Sequence, residues 1–164
     1  MAGASKKREA MQIEPLRRDI EDTIELLEEL VTVCSAGERG YRRAAEEIHE
    51  TVFRSLFRCY ADQRGQFVSV LETLIERLGG VRARPSSSMF GALQRSWSGL
   101  VQALAFRGDH GVIDACAQGE EAARRAYEQV LSRRLPIDIR GILEQQLTNV
   151  REAQERLSSL RRVL

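Results

Sequence analysis

An all-α bundle of four helices, built from two related hairpins, is the fold that this sequence predicts. Three observations lead there. Aromatic residues make up only 5% of the 164, prolines number three, and Ala, Leu, Glu and Arg dominate, a composition typical of helical proteins. Apolar residues recur at alternating steps of four and three: Ile20, Ile24, Leu27, Val31, Cys34, Glu38, Tyr41 and Ala45 in the first half, and Ile113, Cys116, Glu120, Ala123, Tyr127 and Val130 in the second. That spacing keeps a set of side chains on one helix face. Finally, the two halves match each other. CSAGERGYRRAAE from Cys34 aligns with CAQGEEAARRAYE from Cys116, with seven of thirteen positions identical, including Gly37/Gly119, Glu38/Glu120 and Arg42/Arg124.

Each element has its own signals. Residues 1–14, MAGASKKREAMQIE, are charged and lack an apolar h-region, so they are no secretory signal; they are expected to be a disordered lead before a single domain over 15–164. The first helix is expected to start near Pro15, a first-turn residue, and to run to about Glu47, with a break near His49–Thr51. The second covers about Val52 to Leu78 and stops at Gly79-Gly80. Its apolar stripe is Phe53, Leu56, Phe57, Tyr60, Phe67, Val70, Leu71, Leu74 and Leu78. VRARPSSS reads as a linker whose serines can cap the next segment. Met89–Phe106 forms a helix, with Leu93, Trp97, Leu100, Val101 and Leu104, that crosses back along the outside. Asp109 can cap the third long helix, which runs to about Arg134. The fourth fills the rest from about Ile137, with a seam of Ile139, Leu143, Gln146, Val150, Ala153, Leu157 and Leu160.

Composition excludes several functions. The formal charge of +1 gives no field that selects nucleic acid or a membrane surface. No apolar run approaches the roughly 20 residues that span a bilayer. Cys34, Cys59 and Cys116 all lie on apolar faces, form no CxxC pair, and read as reduced buried thiols of a cytoplasmic protein. The two histidines, His49 and His110, fall at helix ends, so no Ser-His-Asp or Cys-His arrangement can be built. Gly37, Gly40, Ala44 and Ala45 allow close helix approach and form no phosphate loop.

The chemistry concentrates where the apolar seams break. Glu38 and Glu120 interrupt the first and third helices. Gln63 and Gln66 interrupt the second, and Gln146 and Asn149 the fourth; a shift of 83 positions superimposes the two amide pairs. Residues three apart share a helix face. Six polar side chains, Glu38, Gln63, Gln66, Glu120, Gln146 and Asn149, can therefore meet in one layer, with Arg64 within reach. Glu38/Arg42 and Glu120/Arg124 have the i,i+4 order that favours ion pairing. A buried carboxylate needs such partners.

One Glu on each of two helices and a Glu-x-x-His on each of the others is the di-iron pattern of ferritin-like bundles. More specifically, the chain resembles a bacterial family of ferritin-like four-helix bundles of unassigned function. The residues that carry the likeness are GERGYRRA from Gly37, Gly79-Gly80, RSW ending at Trp97 and GEEAARRAY from Gly119. The resemblance implies a ferritin-like bundle with a helical crossover between its second and third long helices, and hints at a stress or redox setting. The departure is in the ligand set: Gln63, Gln66, Gln146 and Asn149 stand where ferritins have Glu-x-x-His. Amides are poor ligands for iron. The expectation is a non-enzymatic, cytoplasmic bundle with a degenerate metal layer, no cofactor, and a role through dimerisation or a protein partner. Its rivals are an iron-binding or di-iron oxidase-type protein using Glu38 and Glu120, which alone would hold divalent ions weakly, and a binder of a small polar ligand at the layer.

Overall fold

The computed structural model describes residues 2–81, 97 and 99–164. Among them are four long helices, α1 (Ala2–Glu47), α2 (Thr51–Arg77), α3 (Asp109–Leu131) and α4 (Ile137–Val163). A single 3-10 turn, Ala105–Arg107, precedes α3. The described chain contains no strand. Residues 82–96 and 98, which include nearly all of the linker and half of the expected Met89–Phe106 helix, lie outside the described residues. What is described there, Trp97 and 99–104, is helical.

The apolar seams decide the packing. In α3, Ile113, Cys116, Glu120, Ala123, Tyr127 and Val130 are all buried, as are Ile139, Leu143, Gln146, Val150, Ala153 and Leu157 in α4. α1 packs on α2, α3 on α4, and α1 on α3. Direction follows from two contacts: Cys34 meets Tyr127, whereas Tyr41, further along α1, meets Glu120, earlier in α3. The two helices are therefore antiparallel. The core divides into two apolar clusters. One contains Leu27, Leu30, Leu71 and Leu143, and the other contains Ala44, Ile48, Phe57, Ile113 and Leu157. Arg64 and Glu120 fall between them in sequence, at the waist.

The helix ends follow the sequence with two exceptions. At the end of α2, Gly79 takes φ +86°, and the N–H groups of Gly79 and Gly80 bond to the carbonyls of Glu76 and Ile75. This is a Schellman stop, and only glycine enters its left-handed residue without strain. α1, however, begins at Ala2 and not at Pro15. The expected lead is thus helical, because its Ala, Lys, Arg, Glu and Met are strong helix formers that propagate a helix nucleated by the body. Pro15 only removes the donor for the Met11 carbonyl. Asp109 is the second exception. It does not cap its own helix; its carboxylate accepts the backbone N–H groups of His49 (2.8 Å) and Glu50 (3.1 Å), closing the α1–α2 turn. Burial pushes the Asp109 carboxyl up, but these bonds outweigh it and leave it below its usual range.

Val70 is exposed rather than part of the α2 stripe, and Ile75 takes its place in the core. Of the cysteines, Cys34 and Cys116 are buried but Cys59 is exposed.

Candidate functional site: an ion-paired waist

The waist is built around Glu120, which is fully buried on α3. Arg64 on α2, 1% exposed, sends Nη2 to both carboxylate oxygens, at 2.7 and 2.9 Å. Tyr41 on α1 donates its hydroxyl to Oε1 at 2.5 Å. The Arg64 Nη1 group donates to Gln63 Oε1 at 2.9 Å, and the guanidinium lies 5.1 Å from the centre of the Phe67 ring. Arg64 Nε has no partner among the described residues. Burial lowers the affinity of Arg64 for its proton, but the Glu120 carboxylate more than restores it. Burial, and then the same carboxylate, push the Tyr41 phenol well up.

A neutral relay lies one to two turns away, towards the cluster that contains Leu143. Tyr127 donates to Gln146 Oε1 at 2.8 Å, which leaves the Cys34 thiol to donate to the Tyr127 oxygen at 3.0 Å. Burial pushes the Cys34 thiol up to about 11 and the Tyr127 phenol well above its ordinary value. Neither group is an activated nucleophile.

The expected six-residue layer is thus split. Glu120 and Gln146 are buried, Gln63 is half-buried and reaches Glu120 only through Arg64, Asn149 is half-buried, and Gln66 is exposed. Glu38 stays at the rim, packed over Gly65, with its side chain 29% exposed and bonded to Arg42 at 2.9 Å. The pairing of Glu120 with Arg124 does not form. Arg124 binds Glu121 and Glu128 on the outer face instead, while Glu120 turns inward to Arg64. Glu121 is held down to about 2 by the bonds from Arg124, Arg125 and Gln154.

The asymmetry has a cause in the repeat. The counterpart of Tyr41 in the second half is Ala123, and the counterpart of Arg64 is Leu147. A second inward carboxylate would have neither donor, and burying it unpaired would cost several kcal/mol, about 3–5 when a partner is missing. Tyr41, Tyr127 and Cys34 were readable as seam residues, but periodicity marks only their apolar bodies. The signal for their role is that a buried tyrosine hydroxyl must find a partner.

The repeated glycines have a separate task. Trp97 is 5% exposed. A Cβ at Gly40 on α1 or at Gly119 on α3 would overlap its indole, and one at Gly37 would touch it. Gly37 and Gly119 of the repeat, with the unrepeated Gly40, thus form a slot for Trp97 beside the waist. Its ring packs edge-on to Tyr41, with centroids 5.2 Å apart, so the slot also buttresses the tyrosine that binds Glu120.

Fold and site define the class: an all-α protein with an internally neutralised charge pair at its core. Residues 22–133 match the domain of unknown function DUF2383, and the chain belongs to that family. No curated protein matches it. No helix among the described residues is long and apolar enough to cross a membrane.

Proposed function

We propose that the chain is a non-enzymatic, ferritin-like bundle that acts through association with a second copy of itself or with a protein partner. The observation that carries the metal-free part of this reading is the Arg64–Glu120 pair. In a di-iron bundle the inward carboxylates neutralise metal cations; here a guanidinium supplied by the chain takes that place. Both oxygens of Glu120 are occupied, Glu38 is engaged outside with Arg42, and the described residues include no group of three His, Cys, Asp or Glu side chains able to hold a metal. The donor set does not fit a di-iron centre. The ferritin-like arrangement is supported by helix direction. α1 is antiparallel to both α2 and α3, so α2 and α3 run the same way, which is the relation that a crossover joins.

The test is anaerobic loading with Fe(II) followed by elemental mass spectrometry, on the native chain and on E38Q/E120Q. Neither is expected to retain stoichiometric iron. About two irons per native chain, lost in the variant, would overturn the reading.

A further inference from the structure

We draw no further inference here: the strongest candidate, the apolar pocket of about 290 Å³ that Val33 of α1, Gly119, Ala122 and Ala123 of α3, Trp97 and Leu100 enclose with one amide, Gln118, carries nothing because nothing in the structure shows what covers it.

Discussion

Replacing Arg64 with Met leaves Glu120 buried with one hydrogen bond, from Tyr41, where it had three. The lost partner is 1% exposed and the stranded carboxylate fully buried, so water cannot substitute for the guanidinium. Breaking a buried pair from one side costs about 3–5 kcal/mol. At roughly 2–4 °C per kcal/mol for a chain of this length, the melting temperature should fall by about 6–20 °C. E120L should cost a similar amount, because it strands the Arg64 charge with only Gln63 and the Phe67 ring. The double variant R64M/E120L removes both charges and fills the volume with apolar atoms but leaves the buried Tyr41 hydroxyl without its acceptor; it should return to within about 1–3 kcal/mol of the native chain. The coupling in this cycle is then about 3–5 kcal/mol or more. Urea unfolding followed by far-ultraviolet circular dichroism measures all four corners. An R64M penalty below about 1 kcal/mol, or a double variant as costly as the two single ones summed, would refute the claim that the pair is a desolvated unit.

The Trp97 slot gives a sharper spatial test. G119A or G40A should cost about 1–3 kcal/mol by overpacking and shift the emission of the single tryptophan to the red, and an unchanged spectrum would mean that the indole sits elsewhere. In the native state Cys59 alone should react with a disulfide reagent, since Cys34 and Cys116 are buried and burial holds their protons; denaturation should expose all three. Stability should also fall in alkali. The Cys34 thiol is raised from 9.0 to about 11 in the folded chain, so its contribution is complete below pH 9 and lost as pH rises through about 11, a change of roughly 3 kcal/mol at most. Tyr41 and Tyr127 shift in the same direction. Urea midpoints at pH 8 and pH 10.5 check this, and C34A should flatten the difference.

Much of the architecture is legible in the sequence because helix faces are set by spacing alone. The α3 and α4 seams are buried nearly residue for residue, and Gly79-Gly80 marks its stop through the left-handed conformation that only glycine takes easily. What spacing does not encode is depth. Glu38 and Glu120 occupy equivalent seam positions, yet one lies at the rim and the other at the centre. The choice depends on which carboxylate finds donors, and those donors come from other helices: Arg64 from α2 and Tyr41 from α1. Long-range partners of this kind leave no periodic trace. Asp109 is hidden for the same reason, since it caps a turn 60 residues away.

The broken repeat explains how a carboxylate can stay buried at the waist. In a symmetric layer, two inward glutamates repel and require an external cation. Here one half keeps its carboxylate inward and receives a cation from the other half, while that half turns its own glutamate out to Arg42. The Glu120 charge is then met by a cation from the same chain. Reversing the choice should be possible only by moving both donors together. Leu147→Arg and Ala123→Tyr place in the second half what the first half already has, and they are the changes that would let Glu38 turn inward. Either alone should destabilise, Leu147→Arg most, because it buries a charge before its partner has moved.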